Sequence, residues 1–124
     1  TNSASQTIDR IIDVFPEHQQ GQIRQQLSAT IAAIFSQRLI PTKKDSRVGA
    51  GEILIANSAI KNLIRESKSY QIDNVIQMSS DQGMMTMETS LANWIRSGVV
   101  DQEIASAFSV RQGELERQLK GEMK

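Results

Sequence analysis

Ser36-Gln37-Arg38-Leu39-Ile40-Pro41-Thr42-Lys43-Lys44-Asp45-Ser46-Arg47-Val48-Gly49-Ala50-Gly51-Glu52-Ile53-Leu54-Ile55-Ala56 is the stretch on which the fold turns. Ser36–Ile40 reads as a short extended segment, Pro41–Ser46 as a polar turn, and Arg47–Ala56 as a second extended segment. Two short apolar runs around a polar, proline-marked loop predict a β-hairpin. The small residues Gly49, Ala50 and Gly51 predict a close backbone approach or a bulge.

Outward from the hairpin, the pattern is helical on both sides. Ile8, Ile11, Ile12 and Phe15 recur at i, i+3, i+4, i+7, so Thr7–Phe15 is predicted as a helix with one buried face. Asn2, Ser3 or Ser5 supplies its cap, and Pro16 ends it. A second helix is expected over Glu17–Phe35, with Ile23, Leu27, Ile31, Ile34 and Phe35 as its stripe. After the hairpin, Asn57 or Ser58 caps a helix over Ala59–Glu66. Ile72, Val75 and Ile76 mark another that stops near Gly83. Thr86 caps a third, with Met87, Leu91, Trp94 and Ile95 inward and Gly98 as its stop. Asp101 caps a short helix through Phe108. Ser109 with Gln112 forms a capping-box pattern before a weak last helix carrying Leu115 and Leu119. The fold class expected is mainly α with one embedded hairpin.

The 124 residues allow one domain with a real core. At 39% hydrophobic and 23% charged, the composition is neither that of a disordered tail nor that of a membrane span. The longest apolar run, Ile53–Ala56, is far too short to cross a bilayer. Net charge is zero and the lysines and arginines are scattered, which argues against phosphate-driven nucleic-acid binding. With no cysteine, disulfides, thiolate zinc sites and a cysteine nucleophile are excluded. The first residue is Thr1, and the chain is expected to be part of a longer one.

Few residues offer chemistry. His18 is the single histidine, at a helix entrance with no partner for base catalysis. Asp9 and Asp13 share a helix face, where a solvated surface is the plain reading. The chain contains no glycine-rich phosphate loop, and metal-ligand spacing is absent. Met78, Met84, Met85 and Met87 read as core filler. The segment Ala59-Ile60-Lys61-Asn62-Leu63-Ile64-Arg65-Glu66 is short, amphipathic and dense in charge. It reads either as an ordinary helix packed on the hairpin or as a contact helix, with Lys61 and Arg65 one turn apart as a cationic face.

That segment resembles the Ala-Ile-Arg-Asn-Leu-Ile-Arg-Glu signature of PilT-type retraction ATPases, differing only by lysine at position 61. Thr1-Asn2-Ser3-Ala4 is similar to the residues after the histidine of the family's His box, and Thr7–Pro16 to the next helix. Ser36–Pro41 and Glu52–Ala56 resemble two family strands. Gly83-Met84-Met85-Thr86-Met87-Glu88 is similar to a Gly-Met-Gln-Thr-Met-Asp run. The likeness runs in order along nearly the whole chain and fades after Phe108.

The resemblance implies the C-terminal fragment of a RecA-like α/β P-loop ATPase. Residues 1–56 would be the end of that core, and residues 57–124 a helical subdomain. It implies a hexameric motor at the cytoplasmic face of the inner membrane. Such a motor uses ATP and Mg²⁺, acts with a pilus platform protein, and drives type IV pilus retraction and twitching motility. The phosphate loop and acidic boxes would lie upstream, so this segment by itself is expected to be inactive. Thr1 and Asn2 would sit beside the nucleotide, and Ala59–Glu66 would couple hydrolysis to motion. Extension and secretion ATPases of this type carry a four-cysteine insertion near the strand matched by Gln37-Arg38-Leu39. Its absence points to the retraction branch, and the Ala59–Glu66 motif to PilT over a PilU-like paralogue. Lys61 keeps the charge and loses the planar guanidinium. Gly51 stands where the family has a bulkier residue. The competing expectations are a helical protein–protein adaptor and a PilU-like accessory ATPase. A third, a DNA-binding pair of helices at Ile72–Ser79 and Thr86–Ser97, is opposed by neutral charge and by Asp81 and Glu88.

Overall fold

A computed structural model describes residues 3–120. The chain begins with α1 (Ala4–Asp13) and α2 (Glu17–Thr30). The strands β1 (Ala33–Pro41) and β2 (Arg47–Ile55) follow, and then α3 (Ser58–Arg65), α4 (Ile72–Met78), α5 (Met87–Arg96), α6 (Gln102–Ser106) and α7 (Gln112–Leu119). The expected class, helices around one antiparallel hairpin, is what forms.

Local chemistry sets most boundaries. Ser3 caps α1 by accepting the Gln6 amide at 3.2 Å, Asn57 caps α3 through Ile60 at 2.9 Å, and Thr86 caps α5 through Thr89 at 3.2 Å. Gly98, at φ 79°, ends α5 in the left-handed conformation that a side chain would strain.

Several boundaries and burials differ from the sequence reading. The first helix spans Ala4–Asp13 rather than Thr7–Phe15, and of its expected buried face Ile8 and Ile12 are buried while Ile11 and Phe15 are exposed. The second helix stops at Thr30 rather than Phe35, because Ala33, Ile34 and Phe35 pair with Ile55, Leu54 and Ile53. A β-branched and aromatic run fits both periods, and strand pairing wins. Met78 is 83% exposed at the end of α4, not core filler, whereas Met84 and Met87 are buried. The Ser109 hydroxyl does not cap α7. It donates to the Glu88 carboxylate at 2.9 Å.

The hairpin carries no bulge, since its register is continuous from Ala33↔Ile55 to Pro41↔Arg47. Close approach occurs at Gly49, where a Cβ would meet the Gln37 side-chain amide, and the backbone of both glycines is held by α5. Trp94 Nε1 donates to the Gly49 carbonyl at 2.9 Å, and the Gly51 amide donates to Ser90 Oγ at 3.0 Å. Ile53 exchanges both backbone hydrogen bonds with Met85, at 2.7 and 3.1 Å. The outer edge of β2 is therefore sealed by α5 and the residue ahead of its cap. Because Ile53 bonds outward, its partner Phe35 also points its amide and carbonyl outward, as do Gln37 and Leu39. Among the described residues nothing hydrogen-bonds to those groups, so the outer edge of β1 is open. A Cβ on Gly51 would meet only the Ser36 carbonyl, at 3.3 Å, so a bulkier residue there needs only a small shift.

The inner face of the hairpin divides the core. Leu54 joins Ala4, Ile8, Ile12, Ile60, Ile64, Ile72, Ile76 and Met84 at one end. Ile40 and Ala50 join Met87, Leu91, Ala92, Val100, Ala105 and Leu115 at the other. Burying each of the larger side chains contributes about 1.5–3 kcal/mol. Both clusters draw residues from before and after residue 56. Between them, on the same face of β2, sits Glu52, which is fully buried.

Candidate functional site

The eight-residue motif forms α3 and its C-cap. Ile60 and Ile64 are buried in the first cluster and Leu63 packs against it, so the apolar half of the helix is fixed. The helix packs chiefly against α2 rather than against the hairpin. Ala59, Asn62, Arg65 and Glu66 are exposed, and Lys61 is half-buried. The Arg65 guanidinium donates back to Asn62 Oδ1, which lays its charge along the helix. Glu66 lies 3.6 Å from Lys68, an exposed pair that contributes little. The result is a polar strip on a rigid apolar support. Of the other residues considered from sequence, His18 is exposed, and Asp9 accepts a hydrogen bond from Ser69 at 2.6 Å as part of the surface. Thr1 and Asn2 lie outside the described residues.

A second constellation was not foreseen. Arg111, the N-cap of α7, reaches three carboxylates from three other elements. Its Nη2 lies 2.5 Å from Glu52 Oε1 and 2.8 Å from Glu88 Oε1, and its Nη1 lies 2.6 Å from Asp73 Oδ2. Its Nε donates to Glu88 Oε1 at 2.9 Å. Glu52 also accepts the Ala4 amide at 2.7 Å and the Met87 amide at 3.1 Å. One buried carboxylate thus meets the first residues of both α1 and α5, where helix dipoles favour negative charge. Glu88 Oε2 accepts the Val110 and Arg111 amides at 2.9 and 3.0 Å, giving α7 the cap its own sequence lacks.

The electrostatics follow from this geometry. Burial opposes ionisation of Glu88, but the Arg111 charge and the two amides outweigh it and hold its pKa below the ordinary value. Burial likewise opposes the charge on Arg111, and the carboxylates of Asp73, Glu52 and Glu88 outweigh it and push its pKa up. A signal for this cluster was available. Glu52 has the inward parity of Ala50 and Leu54, so a charge was bound for the core and needed a partner.

The chain has no phosphate-cradling loop, and the buried Glu52 and Glu88 are engaged by Arg111 and by amides. Among the described residues no cluster of His, Cys, Asp or Glu has metal-site geometry. The described residues therefore do not themselves fit ATP with Mg²⁺. Among them, no helix is long and apolar enough to cross a membrane.

No protein-family profile matches the chain. It is 44% identical over 106 residues to a Neisseria gonorrhoeae protein described as "Twitching motility protein", covering 85% of this chain and 28% of the relative. It is 40% identical over 105 residues to "Type IV pilus retractation ATPase PilT" of Pseudomonas aeruginosa, covering 85% and 30%. Identity to "Type IV pilus ATPase PilU" of the same organism is 30% over 120 residues, covering 96% and 31%. The chain superposes on a solved structure of the pilus retraction motor PilT with bound ADP at a TM-score of 0.84 and 44% identity. That match covers 94% of this chain and 32% of the other. The chain thus spans about a third of the length of these proteins. In sequence and in fold alike, the chain is PilT-like, and its counterpart is the C-terminal portion of those ATPases.

Proposed function

We propose that this chain is the C-terminal module of a hexameric ATP-driven motor that retracts type IV pili. The observation that carries the proposal is α3. The signature octapeptide buries Ile60 and Ile64 in the core and turns Ala59, Asn62, Arg65 and Glu66 to solvent. A polar strip held on a rigid support suits a contact that must transmit force. Higher identity to the PilT relatives, 40–44%, than to the PilU relative, 30%, favours the main retraction role over the accessory one.

Residues 1–56 are the end of the RecA-like core on this reading, and residues 57–124 its helical subdomain. The open edge of β1, with Phe35 and Leu39 exposed beside it, supports a sheet that continues into the rest of the motor. Thr1 and Asn2 lie beside the nucleotide. ATP and Mg²⁺ belong to residues outside this segment, which is itself inactive. The motor works at the cytoplasmic face of the inner membrane, against a pilus platform protein. Nucleotide-driven shifts between domains become rigid-body rotations, and α3 passes them to the machinery or to a neighbouring subunit.

The test compares the complete motor chain with its Arg65→Ala and Leu63→Ala variants. Hydrolysis in the complete chain, with retraction lost and hexamers intact in the variants, supports coupling through α3. Normal retraction by hexameric variants refutes it. A complete chain that hydrolyses no ATP refutes the motor reading and leaves an adaptor.

A further inference from the structure

Two independent paths lead from one guanidinium to one helix turn. Through Nη2, Arg111 holds Glu52, whose other oxygen accepts the Ala4 amide at 2.7 Å. Through Nη1 it holds Asp73, whose other oxygen lies 3.4 Å from the Ser5 hydroxyl. Ala4 and Ser5 open α1, and Arg111 opens α7. These two helices lie at opposite ends of the chain and share no apolar cluster, Ile8 and Ile12 belonging to one and Leu115 to the other. Packing alone does not hold the start of α1 to α7. The polar bridge does.

Three carboxylates converge on one cation here, and the excess negative charge is tolerated because Glu52 and Glu88 each face helix-terminal amides. The arrangement is bidentate and directional, which a lysine could not reproduce. Asp73 borders an open cleft with Tyr70, Asn74, Gln77 and Arg117, so one arm of the bridge is reachable, while the other, through the fully buried Glu52, is sealed.

We propose that Arg111 is a positioning residue. It fixes the first turn of α1 to α7, so that these two helix starts move as one body. Its bearing on ATP hydrolysis rests on the motor reading, under which the residues ahead of α1 flank the nucleotide. The mechanical part stands on the geometry alone.

The experiment uses the complete motor chain, its Arg111→Lys variant, and the milder Asp73→Asn variant in case the first fails to fold. Amide hydrogen exchange followed by mass spectrometry reads the mechanical part. We expect exchange across residues 4–8 to quicken at least about tenfold, with the hairpin and α3 unchanged, which is a loss of local rather than global protection. Unchanged exchange at residues 4–8, or a uniform rise across the chain, overturns the proposal. Steady-state ATP hydrolysis reads the second part. We expect kcat to fall about tenfold with KM for ATP within about twofold, the mark of lost positioning rather than lost binding. Local loosening with wild-type kcat overturns the link to hydrolysis. A wild-type chain without ATPase activity overturns the motor reading instead, and the exchange result still decides the clamp.

Discussion

Replacing Arg111 with methionine keeps most of the aliphatic stem and removes the guanidinium, with its charge and its donors. Glu52 and Glu88 then face each other across the space the guanidinium filled. Their Oε1 atoms touch the same nitrogen at 2.5 and 2.8 Å, so they lie within about 5 Å of each other. At an effective dielectric of about 20, two charges at that distance repel by about 3 kcal/mol. The protein has one escape, which is to protonate a carboxylate. From the ordinary glutamate value of 4.5, holding a proton at about pH 7 costs about 3 kcal/mol. Both routes give the same figure, and it matches the cost of stripping one partner from a buried pair, about 3–5 kcal/mol. The pH dependence separates this cause from lost packing. A carboxylate with a raised native pKa takes up a proton on folding, so stability in the variant rises as pH falls, by about 1.4 kcal/mol per unit. Glu88 in the wild type has a lowered pKa, so its contribution is intact at every pH above 4.5. The gap between the two proteins should shrink from about 3 kcal/mol at about pH 7 to about 1 kcal/mol at about pH 5. Urea unfolding read by Trp94, the single tryptophan, measures it. A gap below about 1 kcal/mol at neutral pH, or one that ignores pH, would refute the reasoning.

The same network predicts acid behaviour. Wild-type stability should fall as pH drops below 4.5, where Glu88 of the unfolded chain takes up a proton that the native carboxylate, with its lowered pKa, still refuses, and Glu88→Gln should show a shallower acid limb in urea midpoints. Asn57→Ala removes the acceptor for the Ile60 amide at the head of the motif helix and should cost about 1 kcal/mol in the same assay. The two faces of the hairpin should differ sharply. Leu54→Ala should cost about 2–5 kcal/mol, whereas Phe35→Thr should stay within about 0.5 kcal/mol; a reversed order would mean the pleat is inverted.

Features governed by neighbours in the chain were readable in advance. The hairpin, the caps at Asn57, Thr86 and Asp101, and the stop at Gly98 each depend on a few adjacent residues. The α2–β1 boundary was not readable, because Ile31, Ile34 and Phe35 satisfy a helical stripe and a strand about equally. Partners 20 residues on, Ile53–Ile55, decide between them. The octapeptide was legible as a motif and its inward side, Ile60, Leu63 and Ile64, as an apolar stripe, but that this side would pack on α2 rather than on the hairpin was not. The Arg111 cluster draws on positions 52, 73, 88 and 111, which no local pattern links. The misplaced acid at Glu52 was its one visible trace.

The hairpin with one sealed edge and one open edge has a direction. Strands can be added beside β1 and nowhere else, so the hairpin is the last pair of any sheet it enters. Two copies meeting through their open edges close on each other about a twofold axis and use up both. A third has nowhere to attach. Ser90, Trp94 and Met85 therefore act as a stop against edge-by-edge growth into fibres, and mispairing of this hairpin ends at the dimer.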